Sequence, residues 1–382
     1  MTTALVNGRV LTDHGLQGGF AVLLEGDVIA GLALPSDPRV RAAERHDLEG
    51  RVLLPGFIDC QVNGGGGVLF NDAPTVETIR TIGAAHRRYG TTGFLPTLIS
   101  DDVDVMRRAI EAVNAAIEQG VPGVLGIHLE GPFLAPERKG VHNPAKFRTV
   151  DMDDIAMLAG KHNGVTLLTL APERASIDTL RQLTEAGVTV AAGHTASDYE
   201  TMRDALRNGV RGFTHLFNAM TPFTSREPGV VGAALEDPHS WCGLIVDGHH
   251  VHPAALRVAI AAKPRQKMFL VTDAMPPVGA ADPSFILNGE RITARDGVCQ
   301  TAGGVLAGSA LDMATAVRNT VEMVGVPLAE AARMASTYPA AFLGLEKTFG
   351  KVTAGYRADL VALNEDYSVY ETWIAGACQR CE

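Results

Sequence analysis

The stretch that decides the fold covers residues 165–215 and reads VTLLTLAPERASIDTLRQLTEAGVTVAAGHTASDYETMRDALRNGVRGFTH. Two amphipathic segments separate three apolar runs, and these runs cover residues 165–171, 188–194 and 212–215. Apolar runs that do not alternate with polar residues are typical of parallel strands buried on both faces. The second and third runs end in His194 and His215. The stretch therefore predicts repeated strand–helix units in a parallel sheet.

The same unit repeats along the middle of the chain at intervals of about 30 residues, which is the length of one strand–helix repeat. Eight strands are predicted, at residues 56–61, 93–97, 124–130, 165–171, 188–194, 212–215, 242–247 and 268–273. Eight such units in about 250 residues predict an α/β fold of the (β/α)8 TIM barrel type, with a doubly wound open sheet as the alternative. A polar hairpin at 285–301 is expected to interrupt the chain after strand eight.

The two ends of the chain show short β patterns that are separated by turns such as Asn7-Gly8. Neither end alone has enough strand for a stable sheet, so we expect the ends to pair into one small β-sandwich domain. The predicted organisation is residues 1–54 and 346–382 for this domain and residues 55–345 for the barrel.

Composition restricts the class of protein. The 382 residues carry a net charge of −10, which opposes binding to nucleic acid or to an anionic membrane surface. No apolar run reaches the ~18–20 residues of a membrane span, and the N-terminus does not resemble a secretory signal. The five cysteines are odd in number and scattered, which favours a reducing, cytoplasmic location. Cys378 and Cys381 form a C-x-x-C near the C-terminus without a partner pair, and we interpret it as incidental.

Polar side chains stand where the predicted strands end, the face at which TIM barrels carry their sites. These residues are Gln61 and Asn63, Glu130, His194, His215 and Asp273. Alone, each histidine could be a hydrogen-bonded structural residue and the aspartate a helix cap. Together, two histidines and one glutamate make a three-ligand metal site with coordination positions left open, and Asp273 would serve as acid and base.

The segments that follow these strands add further polar groups. HLEGPFLAPERKGVHNP follows strand three, GFTHLFNAMTPFTSREPG includes strand six, and DGHHVHP follows strand seven. With PGFIDCQVNGGGG, GTTGFLPTLIS, AAGHTASDYE, LVTDAMPPVG and LAGSAL, they resemble the N-acetylglucosamine-6-phosphate deacetylase family of the amidohydrolase superfamily. The motifs run in the family's order from about residue 54 to residue 312, and ADLVALN near the C-terminus resembles the superfamily's returning β domain.

The resemblance implies roles for individual residues. Glu130, His194 and His215 would hold one divalent ion per chain, with zinc preferred over iron, cobalt or manganese, and Asp273 would be the general base and acid. Many amidohydrolases have an H-x-H pair at the end of strand one, and Gln61-x-Asn63 at this place puts a second metal in doubt. The family also implies a homodimer. The implied substrate pocket consists of Val141, His142, Asn218, Ala219, Arg226, His250, Leu306, Ala307 and Gly308.

The chemistry of these residues agrees with hydrolysis of an N-acetylated amino-sugar 6-phosphate. Arg226 and His250 are donors that could bind a phosphate. Two alternatives stay open: a related enzyme acting on another acylated substrate, such as a galactosamine epimer or a ring amide, and a non-catalytic sugar-phosphate sensor. A sensor would not need the base Asp273.

Overall fold

The computed structural model describes residues 2–160 and 162–381 and confirms the predicted barrel. Its eight strands run parallel and pair in chain order. A bridge between Val62 and Ala274 joins the first strand to the eighth, and the Asp273 N–H donates to the Gln61 carbonyl at 3.0 Å. The barrel therefore closes at the carboxyl ends of these two strands. The strands are Phe57–Val62, Thr91–Ile99, Gly126–Glu130, Val165–Leu170, Thr189–Ala192, Val210–Phe213, Trp241–Leu244 and Met268–Leu270.

Helices cover the outside of the barrel, and most begin at a residue whose side chain caps them. Asp198, for example, accepts the Thr201 N–H at 2.8 Å, which satisfies one of the unpaired donors of a helix N-terminus. The helices of the described residues are Pro38–Ala42, Val76–Arg87, Val103–Glu118, Met152–Leu158, Ile177–Glu185, Tyr199–Arg207, Gly229–Glu236, Pro253–Ala262, Met313–Glu322, Leu328–Ala335 and Thr337–Phe342.

The predicted hairpin after strand eight is a four-stranded antiparallel sheet, which we call the inserted sheet. It consists of Ser284–Leu287, Glu290–Arg295, Val298–Gln300 and Leu306–Ser309. The last of these strands bonds back to the barrel, because the Ser309 N–H donates to the Asp273 carbonyl at 2.9 Å. The inserted sheet thus lies at the mouth of the barrel. A short ribbon after strand one, Gly64–Gly65 and Val68–Leu69, lies at the same end.

The two ends of the chain form a β domain of two sheets, as predicted. The first sheet contains Val28–Ala33, Ala21–Glu25, Thr2–Val6 and Glu44–Asp47. The second contains Ala377–Arg380, Val369–Ile374, Leu360–Leu363, Val52–Pro55, Arg9–Thr12 and Gly15–Gln17. Trp373, Leu5 and Leu53 pack in the core between them. The domain boundaries after residues 54 and 345 stay a prediction.

The β domain contacts the barrel at the end opposite to the mouth. Arg87, at the end of the helix that precedes strand two, donates to the Ala377 carbonyl at 2.7 Å and to Thr372 Oγ1 at 3.0 Å. The strand ends that carry polar residues therefore remain accessible at the other side. Among the described residues, no helix combines the length and the apolar character that a membrane span requires.

Candidate metal centre and substrate cavity

Three of the predicted site residues lie just beyond the ends of their strands. His194, His215 and Asp273 have φ values of 48°, 33° and 52°, in the left-handed region. We predicted strands that include these residues. In the structure each strand ends two or three residues earlier, because a residue in the left-handed conformation cannot continue a strand. This conformation costs about 1–3 kcal/mol for a residue other than glycine and is concentrated at functional sites. Here it turns three side chains into the mouth of the barrel.

Glu130, His194 and His215 converge with the spacing that a metal ion requires. His215 Nε2 lies 3.0 Å from Glu130 Oε1, His194 Nε2 lies 3.2 Å from the same oxygen, and the two Nε2 atoms are 3.1 Å apart. Ligand atoms about 2.0–2.1 Å from a tetrahedral zinc ion stand roughly 3.3 Å from one another. All three residues are buried. The triangle therefore fits a single divalent ion.

The hydrogen bonds around the triangle support this interpretation. Nδ1 of His194 lies 2.7 Å from the Arg138 carbonyl, which can only accept, so the neutral ring presents the lone pair of Nε2 to the triangle. Burial alone would raise the pKa of Glu130, but its contacts with the imidazole rings of His194 and His215 hold it well below its usual value. One carboxylate and two imidazole nitrogens are a donor set suited to zinc and to other first-row divalent metals.

Glu173 holds the backbone that follows His194 and was missed in the sequence. Its carboxylate accepts the Ala196 N–H at 2.7 Å and the hydroxyls of Thr195, at 2.6 Å, and Ser197. Three hydrogen bonds to one carboxylate thus fix the segment directly after a metal-ligand candidate. Glu173 comes shortly after strand four, so the strand-end rule applied to that strand would have found it.

Asp273 lies beside the triangle and is held by the two amides of strand one. Asn63 Nδ2 donates to Asp273 Oδ1 at 2.7 Å, and Gln61 Nε2 donates to the same oxygen at 3.1 Å. Gln61 Nε2 also lies 3.2 and 3.1 Å from the two carboxylate oxygens of Glu130. Burial raises the pKa of Asp273 to about 6, and the charge of Glu130 adds to the increase. Both amides therefore act as donors to carboxylates at the place where a second metal would need ligands.

A cavity of about 210 Å³ opens above these groups and brings together most of the predicted substrate residues. Glu130, His194, His215 and Asp273 lie in its wall. The predicted substrate residues in the same wall are Val141, His142, Asn218, Ala219, His250, Leu306 and Gly308. Ala307 is buried between Leu306 and Gly308 and packs into the apolar cluster of the inserted sheet.

His142 is buried and neutral. Its Nδ1 accepts the Ser100 N–H at 3.3 Å and lies 2.9 Å from Ser100 Oγ, so the ring proton resides on Nε2. Burial and the neighbouring His194 lower the pKa of His142 to about 3. The ring can therefore donate a hydrogen bond to a substrate oxygen without carrying charge.

His250 is oriented by Asp247, another residue that sequence reasoning missed. Asp247 Oδ2 lies 2.6 Å from His250 Nδ1, and Oδ1 accepts the backbone N–H groups of His249 and His250 at 2.8 and 2.9 Å. This arrangement fixes the ring with Nε2 free to bind a ligand. The neighbouring His252 has a local role, because it caps the helix Pro253–Ala262.

Arg226 was predicted to bind the substrate, but it does not line the cavity of its own chain. It lies on an exposed loop, and the Thr224 N–H donates to the Glu227 carbonyl at 3.0 Å within that loop. Gly229 follows with φ of 60°, and a Cβ there would come within 2.7 Å of the Pro222 carbonyl, so this turn requires glycine. Arg226 is therefore exposed and does not line the cavity of its own chain.

Comparison with known proteins shows the family of this chain. Residues 52–378 match the model of the Amidohydrolase family. The chain is 41% identical to N-acetylgalactosamine-6-phosphate deacetylase of Shewanella sp. (strain ANA-3), over 96% of this chain and 93% of that one. It is 35% identical to N-acetylglucosamine-6-phosphate deacetylase of Haemophilus influenzae, over 98% and 99% of the two chains.

A solved structure extends the similarity to three dimensions. The crystal structure of N-acetylglucosamine-6-phosphate deacetylase from Pasteurella multocida superimposes with a TM-score of 0.96 and 34% identity, over the full length of both chains. The chain therefore belongs to the amidohydrolase family, in the branch that contains these amino-sugar-phosphate deacetylases.

Proposed function

We propose that the protein hydrolyses the acetamide of N-acetyl-D-glucosamine 6-phosphate to D-glucosamine 6-phosphate and acetate, a reaction of amino-sugar catabolism and cell-wall recycling. The observation that carries the proposal is one cavity whose wall contains Glu130, His194, His215, Asp273 and His250. A metal-ligand triangle, a carboxylate base and a fixed imidazole donor are the groups that this hydrolysis needs.

In the proposed mechanism, Glu130, His194 and His215 hold one divalent ion in the barrel, preferably zinc, with iron, cobalt and manganese as alternatives. An ion of this kind supplies Lewis acidity toward an amide carbonyl and toward water. Asp273 takes the proton of the attacking water and returns it to the departing amine nitrogen. Gln61 and Asn63 hold the carboxylate of Asp273 in place through their amide N–H groups. His142 donates its Nε2–H to the substrate carbonyl oxygen as negative charge develops there.

The phosphate of the substrate is assigned to His250 and Arg226. Asp247 holds the His250 ring in place, because its carboxylate lies 2.6 Å from Nδ1. Arg226 is not in the wall of the cavity of its own chain, and Phe223 on the same loop is 64% exposed. We therefore propose a homodimer in which this loop is covered and Arg226 of the partner subunit completes the phosphate site. The guanidinium would bind the phosphate through charge-assisted hydrogen bonds.

The galactosamine epimer is the second candidate substrate. The observation that favours it is the 41% identity with a relative named for N-acetylgalactosamine 6-phosphate. Both epimers carry the acetamide and the phosphate that the site residues are proposed to bind, so the preference depends on contacts to the sugar hydroxyls.

For location we propose the cytoplasm, because all five cysteines are free thiols in the structure.

The test is a deacetylation assay on four compounds: both N-acetylhexosamine 6-phosphates and both unphosphorylated sugars. We expect kcat/KM to be highest for N-acetylglucosamine 6-phosphate and to fall for the sugars without phosphate. A higher kcat/KM for the galactosamine compound would replace the first candidate by the second. Binding of the phosphorylated sugars without acetate release by the metal-loaded protein would instead support a sensor. Size measurement in solution tests the dimer.

A further inference from the structure

Three ligating side chains meet between the two sheets of the β domain, away from the barrel. His46 belongs to the strand Glu44–Asp47 of the first sheet, whereas Glu371 and Cys378 belong to neighbouring strands of the second. Their ligating atoms all lie within 4.8 Å of one another. We propose that His46, Glu371 and Cys378 bind a divalent ion of the zinc class, which joins the two sheets. This proposal does not depend on the proposed function.

The burial of Glu371 is the first argument. Its side chain is only 5% exposed, and among the described residues its ion-pair partner is His46, at 2.6 Å between Oε2 and Nε2. A buried carboxylate needs a compensating positive charge. A divalent ion bound by both residues would provide it.

The second argument is the direction of the His46 ring. Its Nε2 is buried and has no partner in hydrogen-bonding geometry among the described residues, although the Glu371 oxygen is so close. The two atoms therefore converge without the line of approach that a hydrogen bond prefers. Cys378 Sγ lies 3.4 Å from the same carboxylate oxygen, which is close to the separation of about 3.5 Å expected for oxygen and sulfur ligands of a tetrahedral zinc ion.

The pairing of the last strand explains which cysteine takes part. Cys378 lies opposite Trp373, whose ring packs edge-on against His46 with centroids 5.5 Å apart. Side chains alternate between the faces of a strand, so residues three apart point to opposite faces. Accordingly, Cys381 Sγ lies 3.9 Å from the Arg87 carbonyl, on the side of the barrel. The C-x-x-C that appeared incidental in the sequence thus supplies one ligand, and the fold brings the other two.

The chemistry of the three ligands is consistent with one ion and an open fourth position for water. Thiolate, imidazole and carboxylate are all zinc ligands, and the two anions neutralise a divalent charge. The His46–Glu371 contact would have to widen by less than about 1 Å to reach ligand spacing. His46 lies at the edge of its sheet and is 32% exposed, so its side chain can make this adjustment. The barrel triangle contains no thiol, which makes the two sites spectroscopically distinguishable.

The experiment uses the full-length chain, stripped of metal and titrated with Co²⁺. Only a site with a cysteine ligand gives a thiolate-to-cobalt charge-transfer band in the near ultraviolet. We expect this band in the wild type, together with binding of two cobalt ions per chain. Cys378→Ser and His46→Gln should lose the band and one bound ion. Cys381→Ser is the matched control, because it removes a thiol three residues away that faces elsewhere, and it should retain both.

Circular dichroism of each variant verifies folding, and the exposed position of Cys378 makes its replacement by serine tolerable. Deacetylase activity should be unchanged in all three variants, since none of these residues belongs to the barrel site. The absence of the band in the wild type, or its persistence in Cys378→Ser, would overturn the proposal. A band lost in Cys381→Ser but kept in His46→Gln would also overturn it, because the ligand set would then be wrong.

Discussion

The barrel and the β domain each gather three ligating side chains, but they do so by different means. In the barrel, His194 and His215 follow their strands in a left-handed conformation and are buried. In the β domain, His46, Glu371 and Cys378 stand within regular strands, and the cluster is open to solvent at one side. In the barrel, a strained backbone conformation brings the ligating side chains together. In the β domain, the side chains come together because the edges of two sheets meet.

The difference indicates where function depends on precise geometry. A strained residue keeps its conformation only when neighbouring groups hold it. In the barrel such groups are present: Glu173 fixes the segment after His194, and the inserted sheet accepts and donates backbone hydrogen bonds around Asp273. Substitutions on this face should therefore change catalysis strongly, while those in the β-domain cluster should leave turnover unchanged.

The largest effect is expected for Asp273→Asn. The amide keeps the shape of the side chain but cannot accept the proton of water, and loss of a general acid/base typically costs ~10²–10⁴-fold in rate. Steady-state kcat on N-acetylglucosamine 6-phosphate is the measurement, with metal content determined on the same sample.

Cys378→Ser is the control for this prediction, since it changes the other cluster and should retain the wild-type kcat. If Asp273→Asn kept the wild-type kcat, Asp273 would not be the base. If it lost its metal, the result would report on the ligand triangle instead, and the comparison of kcat would have to be repeated at saturating zinc.

Sequence alone was sufficient for the barrel and for the residues at its strand ends. Parallel strands buried on both faces leave an unmistakable apolar pattern, and their carboxyl ends meet at one face, so Glu130, His194, His215 and Asp273 could be grouped without coordinates. The β-domain cluster could not be found in this way. His46 and Glu371 are 325 residues apart in the sequence, and only the packing of one sheet on the other shows that they touch.

The second prediction concerns Arg226, which lies outside the cavity of its own chain. A charge-assisted hydrogen bond contributes roughly 1.5–3 kcal/mol, so Arg226→Ala should lower kcat/KM for the phosphorylated sugar by about 10–150-fold. The unphosphorylated sugar never makes this contact and should be affected little. Arg295→Ala, on the exposed face of the inserted sheet, is the matched control. Equal losses on both sugars would remove Arg226 from the phosphate site.

The third prediction tests the support of the strained ligand. Glu173→Gln keeps one oxygen acceptor but replaces the other by an N–H₂ group, which faces donors from Thr195, Ala196 and Ser197. Loss of a group that orients a metal ligand typically costs 10–100-fold in metal affinity or activity. The measurement is the rate of zinc loss to a chelator, with Glu185→Gln, at the exposed end of the helix Ile177–Glu185, as control. An unchanged rate would show that the backbone after His194 does not need this carboxylate.

The contacts of Glu173, Asp247 and Asn63 mark the limit of what the sequence could predict. Each acts on another side chain through hydrogen bonds whose existence depends on loop conformation, and loops leave no periodic pattern. Asn63 illustrates the point. Its place at the end of strand one suggested a missing metal ligand, whereas the structure shows a hydrogen-bond donor to the carboxylate of Asp273.

The smallest effect, and the sharpest test of that contact, is expected for Asn63→Ala. Asp273 can accept a proton only when it is ionised, so the rate should fall as the pH decreases through its pKa, which is about 6 in the ion-free site. A bound divalent ion favours the ionised carboxylate. The acid limb of the pH–rate profile, where the rate falls with decreasing pH, should therefore lie at or below about pH 6. The Asn63 N–H also favours the carboxylate, so its removal raises the pKa of Asp273.

A hydrogen bond contributes about 1 kcal/mol, which corresponds to an upward shift of the limb of at most roughly one pH unit. At pH 8 the variant and the wild type should have similar kcat/KM, because Asp273 is ionised in both. A limb that stays in place, or that moves to lower pH, would show that Asn63 does not set the ionisation of the base.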